Sequence, residues 1–163
     1  MLAAPKIEFL LDLIDRGFDR QAWHGPNLTG SLRGVTLEEA AYRPNPHRHS
    51  IWELAVHAAY WKYAIRRRLT GEKRGSFAFE GSNFFPRPDE RGATDAAWKA
   101  DLALLKKSHR ELRATVAALR PADLTRLSPK KKWTVAQEVA GIASHDVYHA
   151  GQIQLLRRLF QGR

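Results

Sequence analysis

Residues that recur every three or four positions constrain the fold of this chain more than any other sequence feature. After Thr94 they follow at alternating steps of four and three: Trp98, Leu102, Leu105, His109, Leu112, Val116 and Leu119. Such spacing places one stripe along an α-helix and is typical of the seam between packed helices. The stretch therefore predicts a long helix that begins near Thr94.

Three other segments are also predicted to be helical. An apolar stripe near the start predicts a first helix from Pro5 to Trp23; its residues are Ile7, Leu10, Leu11, Ile14 and Phe18. Ser50 and Thr134 are each followed three residues later by Glu or Gln, which is the capping-box pattern. They predict helices over residues 50–69, ended by Gly71, and over residues 134–160.

Four main helices, without strand-like alternation or internal repeats, favour an all-α fold. A shorter helix, begun by Thr36 with Glu39 and ending near Tyr42, precedes the second long helix. A chain of 163 residues suits one hydrophobic core. We therefore expect a single domain over residues 1–163, folded as an antiparallel four-helix bundle with a long crossover loop.

The crossover loop is expected over residues 71–93, which lack any period. A loop of this length is uncommon in a compact domain unless it is functional or disordered. It also contains four phenylalanines, Phe77, Phe79, Phe84 and Phe85, which favour docking onto the bundle. The docked loop either covers a pocket or only caps the core.

Composition excludes several kinds of site. The chain has no cysteine, which excludes disulfides, thiolate zinc sites and cysteine nucleophiles, so a metal must be held by His, Asp or Glu. Charges interrupt every apolar stretch before the ~18 residues that a membrane span needs, and the start has no signal-peptide core. We expect a cytoplasmic protein without a membrane partner.

The net charge of +10 raises nucleic acid as a possible partner. The densest basic runs, at residues 66–68, 130–132 and 157–158, fall at helix ends or in loops, where they complement helix dipoles. They are not interleaved with aromatic residues, and no nucleic-acid-binding motif is present. A solvated basic surface is the favoured interpretation, and a nucleic-acid-associated module stays an alternative.

Three histidines form the candidate site. His145 and His149 are four residues apart, so both project from one face of the last helix. Two histidines at this spacing are a weak signal by themselves, and His57 alone would be interpreted as a hydrogen-bonded core histidine. However, His57 lies on the expected interior face with Leu54 and Trp61, where a metal would satisfy one ring nitrogen. Together, the three predict a metal centre.

Three neutral imidazole nitrogens suit Zn, Ni, Co, Fe or Cu. Three protein ligands leave coordination positions open, as in catalytic rather than closed structural sites. Because ligation needs neutral imidazole, metal affinity is expected to fall below about pH 6. Gln152 continues the ligand face, where it is placed to donate to a ligand or to metal-bound water. Glu53 and Asp146 either orient an imidazole or are solvated or capping charges.

The remaining four histidines stay outside the predicted site. His109, on the seam of the third helix, is interpreted as a core histidine bonded to a neighbour. His24 either lines a pocket or stabilises the turn at residues 24–27. His47 and His49 flank Arg48 in a loop and are interpreted as surface or capping residues.

Three segments carry a family resemblance, in order along almost the whole chain: residues 22–26 (AWHGP), 49–57 (HSIWELAVH) and 145–153 (HDVYHAGQI). They resemble the DinB/YfiT-like superfamily of metal-dependent enzymes. The resemblance implies a four-helix bundle that often forms homodimers, with nickel, zinc or a related ion bound by a histidine of the second helix and an HxxxH pair of the last. Those positions correspond to His57, His145 and His149.

Characterised members of the family include thiol-dependent S-transferases, a mycothiol-dependent isomerase, and proteins named for induction by DNA damage. The resemblance therefore implies a metal-dependent transferase or hydrolase that acts on a small-molecule substrate, with a low-molecular-weight thiol as a possible co-substrate. A non-enzymatic stress- or damage-response protein with a mainly structural metal is the alternative. No Asp or Glu lies on the ligand face of the last helix between the histidines, so the sequence does not identify a general base.

Overall fold

A computed structural model describes residues 6–129 and 132–162. These residues form six α-helices and one 3-10 helix, Pro121–Thr125, and none of them forms a strand. The all-α prediction is confirmed. The α-helices are α1 Ile7–Phe18, α2 Leu28–Leu32, α3 Leu37–Ala41, α4 Ile51–Thr70, α5 Asp95–Ala117 and α6 Val135–Gln161.

The predicted ends of α4 and the start of α6 are confirmed. Ser50 accepts from the backbone N–H of Glu53, whose carboxylate accepts from the backbone N–H of Ser50. Thr134 and Gln137 form the same reciprocal pair at the start of α6. Gly71 ends α4 in the left-handed conformation, at φ 75°, which glycine adopts without a steric penalty. Local capping therefore fixes where the two helices that carry His57, His145 and His149 begin.

The predicted end of the first helix is wrong. Pro5 lies outside the described residues, and α1 ends at Phe18, because Asp19 leaves the helical conformation and its N–H and that of Arg20 both bond the carbonyl of Asp15. Trp23 is 97% exposed, so no core contact extends the helix that far. The short helix α2, capped by the side chain of Asn27, follows instead.

The four longest helices pack together: α4 contacts α5 and α6, and α1 contacts α5 and α6. Two clusters of buried side chains fill the space between them. One surrounds Trp52, whose indole N–H donates to Asp101 at 2.6 Å. The other lies around Ile14, Leu112 and Val139. This core holds α4 and α6 side by side, which positions the candidate site.

The segment over residues 71–93 docks, as predicted from its phenylalanines. Phe85 is buried in the first cluster, and Phe77, Phe79 and Phe84 pack against that cluster. Phe77 and Phe85 are in contact, with ring centroids 5.2 Å apart. These contacts fix the backbone of Asn83 and Phe84 against α4.

A buried ion pair joins α4 to α6. Lys62 donates to the Asp146 carboxylate, and each side chain is 1% exposed. Burial lowers the pKa of Lys62 and raises that of Asp146 to about 6, and each shift is opposed by the attraction between the two charges. No helix among the described residues combines the length and apolar character that crossing a membrane requires.

Candidate metal centre

The three predicted histidines meet between α4 and α6. Nε2 of His145 lies 3.0 Å from Nε2 of His57 and 3.0 Å from Nε2 of His149. His57 and His149 are buried and His145 is half-buried. Helix capping places His57 one turn after Glu53 on α4, and the i, i+4 spacing on α6 places the other two rings on one face.

Two of the rings are oriented by hydrogen bonds at the opposite nitrogen. His57 Nδ1 lies 2.8 Å from the carbonyl oxygen of Asn83, and His149 Nδ1 lies 2.6 Å from Oε1 of Gln152. Carbonyl oxygens only accept, so Nδ1 carries the proton in both rings. The neutral forms of His57 and His149 therefore present bare Nε2 lone pairs to the centre of the cluster.

Burial keeps these rings neutral. It lowers the pKa of His57 to about 4 and that of His145 to about 3, and it also lowers that of His149. The neighbouring histidines lower the pKa of His145 further, since two adjacent imidazolium ions would repel. Neutral imidazole is the form that binds a metal.

The arrangement fits a cation better than it fits a hydrogen-bonded cluster. Three Nε2 atoms face one another, and only His145 can place a proton between them because the other two Nε2 atoms are bare. That proton can be donated well to the Nε2 atom of either His57 or His149. The Nε2 lone pair of the other ring then has no hydrogen-bond donor. The three ligand atoms lie within 4.8 Å of one another, the separation expected around a single ion.

Asn83 positions the cluster from the docked segment. Its backbone is left-handed, at φ 71°, a conformation that asparagine tolerates better than most residues. Its carbonyl oxygen accepts from His57, and its side-chain oxygen accepts from the indole N–H of Trp61 at 3.0 Å. One residue thus fixes two neighbouring rings of α4.

A cavity of about 940 Å³ opens beside the histidines. All three imidazoles line it, and apolar side chains of α6 such as Leu155, Leu156 and Leu159 form another part of its wall. This volume accommodates a small-molecule ligand. Among the described residues, the group that could hold a metal contains these three histidines and no fourth His, Asp or Glu, so the cavity side stays free of protein ligands.

His47 and His49 also line this cavity, although the sequence interpretation placed them outside the site. The His49 ring stacks on Phe84 at 3.6 Å, and Phe84 stacks on His57 at 4.0 Å. His49 Nδ1 lies 3.2 Å from Oε2 of Glu53, four residues along the chain. The spacing of His49 and Glu53 was visible in the sequence, whereas the stacking depends on the docked segment.

The other predicted roles are only partly realised. Gln152 contacts one of the three rings: its Oε1 accepts from His149, and its Nε2 donates to the Tyr148 hydroxyl at 3.1 Å. Glu53 caps α4 and bonds Arg43 rather than His57. Asp146 is neither solvated nor bonded to an imidazole, because its carboxylate pairs with buried Lys62.

Neither His109 nor His24 approaches the cluster. His109 is a buried core residue, as predicted, and its ring stacks on Phe18 at 3.7 Å. The predicted bond to a neighbour is replaced by a weaker approach of its Nε2 to Asp15 Oδ1 at 3.8 Å. His24 is exposed and does not line the large cavity.

Comparison with known protein families gives a match. A sequence model described as the DinB superfamily matches residues 21–153, which is well over half of the chain and includes His57, His145 and His149. No curated protein and no solved structure shows significant similarity to the chain.

Proposed function

The chain belongs to the DinB superfamily, and on that premise we propose that it is a metal-dependent enzyme. His57, His145 and His149 hold one divalent transition-metal ion, nickel or zinc, at their Nε2 atoms. The observation that carries this proposal is the convergence of three neutral Nε2 atoms, two of them held as bare lone pairs by Asn83 and Gln152.

The proposed reaction takes place in the 940 Å³ cavity, on the side of the cluster that no protein ligand covers. A divalent ion there supplies Lewis-acid activation of an electrophile and a lowered pKa for a coordinated nucleophile. The apolar α6 side chains bind the carbon skeleton of a small substrate, while Phe84 restricts the access of water to the His57 side. A low-molecular-weight thiol is the proposed co-substrate, and hydrolysis is the corresponding reaction with water.

His49 is the proposed proton acceptor. Its Nδ1 is directed at the Glu53 carboxylate, which leaves Nε2 to take a proton. In thiol transfer, the sulfur forms a bond to the electrophilic carbon, and the bond from that carbon to the leaving group breaks. The thiol proton passes to His49 and then to the departing group, or to solvent when that group is chloride, so charge and atoms balance.

A metal-loading and transfer experiment tests this function. Purified protein loaded with nickel or zinc is expected to accelerate the reaction of glutathione or cysteine with monochlorobimane, followed by fluorescence. His49→Gln should retain the metal but lose most of the rate, since the amide cannot accept the proton. Metal bound without transfer or hydrolysis would instead favour the non-enzymatic binding protein with a structural ion.

Gln152 is expected to tune metal affinity. Gln152→Ala removes the acceptor that orients His149, and the loss of such a partner typically costs about 10–100-fold in metal affinity. Competition with a chromophoric chelator measures this change. Gln152→Glu, which keeps an acceptor oxygen, is the matched control and should retain near-normal affinity. Equal affinities for the alanine variant and the unmodified protein would contradict this role.

We also propose that residues 1–163 form one domain in which α1, α4, α5 and α6 make an antiparallel four-helix bundle. Residues 71–93 are then its crossover loop. The pairwise packing of these four helices and the docked phenylalanines support this assignment.

A homodimer is part of the same proposal. Tyr148, Leu155 and Leu159 are exposed apolar residues on α6, spaced so that they share one side of the helix. All three also line the 940 Å³ cavity, so the proposed interface borders the substrate site. Sedimentation velocity at micromolar concentration should give the mass of two chains. Leu155→Lys should shift the protein toward a monomer, whereas Phe9→Lys, an exposed site on α1, should not; a monomeric unmodified protein would overturn the proposal.

A further inference from the structure

The cavity beside the three histidines has charge of one sign. Among the described residues that line it, Arg48 carries a permanent charge, and none is an aspartate or a glutamate. Within the described part of the chain, no carboxylate forms an ion pair with the exposed Arg48 guanidinium. Attraction between charges acts over several ångströms and needs no particular side-chain orientation. The cavity therefore favours an anion over a cation.

Two side-chain amides of the lining have their oxygens already bonded. Oδ1 of Asn45 accepts from the backbone N–H of His47 at 2.9 Å, and Oδ1 of Asn83 accepts from the Trp61 indole at 3.0 Å. The Nδ2 groups of Asn45 and Asn83 make no hydrogen bond to any described residue. What these two amides can still offer to a ligand is mainly N–H donors.

Tyr148 adds a hydroxyl donor to the lining. Oε1 of Gln152 accepts from His149 at 2.6 Å, so its Nε2 is the group that donates to the Tyr148 hydroxyl oxygen, at 3.1 Å. A hydroxyl oxygen that accepts this bond directs its own proton elsewhere, and no described residue takes that proton. Tyr148 lines the cavity and is 64% exposed, so its hydroxyl proton is available to a ligand.

We infer that the substrate of this cavity carries a carboxylate on an apolar body, and that Arg48 and the Tyr148 hydroxyl bind the carboxylate. A carboxylate only accepts hydrogen bonds, so it complements a lining whose free polar groups are donors. Leu155, Leu156 and Leu159 supply an apolar wall for the rest of the molecule. The inference rests on the proposed function, in which this cavity is the substrate site, but recognition by Arg48 needs no metal.

Phenylpropionate and its neutral amide, phenylpropionamide, are matched probes, because they share one apolar body and differ in the charge of one group. Each is titrated into the metal-free ¹⁵N-labelled protein at neutral pH and constant ionic strength. The indole N–H resonance of Trp61, which lines the cavity, reports binding, and those of Trp52 and Trp98, which do not line it, are references. Phenylpropionate is expected to bind about tenfold more tightly than the amide.

Substitutions separate recognition by Arg48 from the overall charge of the protein. Arg48→Gln should reduce the preference for the carboxylate by about tenfold, so that both probes bind equally. Arg33→Gln is the matched control, because Arg33 is also exposed but lies outside this cavity, and its loss lowers the net charge of +10 equally. Tyr148→Phe keeps the aromatic ring and should weaken phenylpropionate binding by about threefold.

Equal affinity of the two probes for the unmodified protein would overturn the inference, as would the absence of a saturable Trp61 shift with phenylpropionate. Loss of the preference in Arg33→Gln as well as in Arg48→Gln would also overturn it, since net charge would then explain the binding. A preference that only Arg48→Gln removes, in a protein that fails to bind zinc or nickel, would support the inference and overturn the proposed metal centre. Metal binding and thiol transfer without any preference would do the reverse.

Discussion

Replacing His149 by alanine is expected to abolish stoichiometric binding of zinc or nickel. The substitution removes one of three converging Nε2 atoms and leaves His57 and His145 as a two-nitrogen site. Such a site competes poorly with water for a divalent ion, and the loss also removes the anchor that Gln152 provides. Elemental analysis after loading and desalting measures the metal content per chain.

His109→Ala is the matched control, because it removes a buried imidazole that lies outside the cluster. Its ring stacks on Phe18, so its loss should lower the free energy of unfolding through a cavity while leaving the metal content unchanged. If His109→Ala loses the metal and His149→Ala keeps it, the ligand assignment is wrong and the site lies between α4 and α5.

The burial of the rings changes the pH dependence of metal binding that the sequence predicts. Ordinary imidazole, with a pKa of about 6.5, would lose the metal below about pH 6. Burial lowers the pKa of His57 to about 4 and that of His145 to about 3, so protons compete with the metal only near those values. We expect the rise in melting temperature on zinc binding to persist at about pH 5 and to disappear near about pH 4.

The same pKa shifts determine the direction in which the stability of the metal-free protein changes with pH. Between about pH 6.5 and pH 4 the unfolded chain binds protons on its histidines, whereas the native chain keeps His57 and His145 neutral. The stability that these two neutral rings contribute is therefore fully present above the histidine pKa of the unfolded chain, and it is lost as the pH falls through this range. A thermal melt series that rises toward acid pH would contradict the burial of these rings.

The sequence predicted the three clustered histidines because their positions follow from local rules. Helical spacing places His145 and His149 on one face, and the capping box at Ser50 fixes the turn on which His57 lies. The prediction that these residues approach one another needed only that both apolar faces point into one core. Their role as metal ligands stays a proposal.

Local sequence rules do not predict the groups that orient the imidazole rings. Asn83 reaches His57 from a segment without any period, and its left-handed backbone is set by how the neighbouring phenylalanines dock. His49 reaches the cavity wall through the same docking, since Phe84 lies between it and His57. The end of α1 was also misjudged, because helical propensity continues beyond Phe18 while core contact does not.

The buried ion pair shows a related limit of pattern analysis. Asp146 follows a candidate ligand and was interpreted as an orienting or solvated charge, but no local signal reveals its partner on another helix. Lys62 lies 84 residues away along the chain, and the contact exists because α4 and α6 pack side by side. Such a pair ties together the two helices that carry the three histidines.

Lys62→Met is therefore expected to lower the free energy of unfolding by about 3–5 kcal/mol, the cost of leaving one member of a buried pair uncompensated. The Asp146 carboxylate would remain in a site where it is 1% exposed, without the cation that offsets its burial. Urea unfolding at about pH 7 measures the change.

The double variant Lys62→Met/Asp146→Leu should recover most of this loss, because apolar side chains of similar volume often replace a buried pair at little or no cost. Arg16→Met provides a surface comparison: its pair with Asp12 is partly exposed, at 46% and 36%, and its loss should have far less effect. A single Lys62→Met variant as stable as the unmodified protein would mean that water reaches Asp146. The double variant would then show no recovery, since the free carboxylate would carry no penalty to remove.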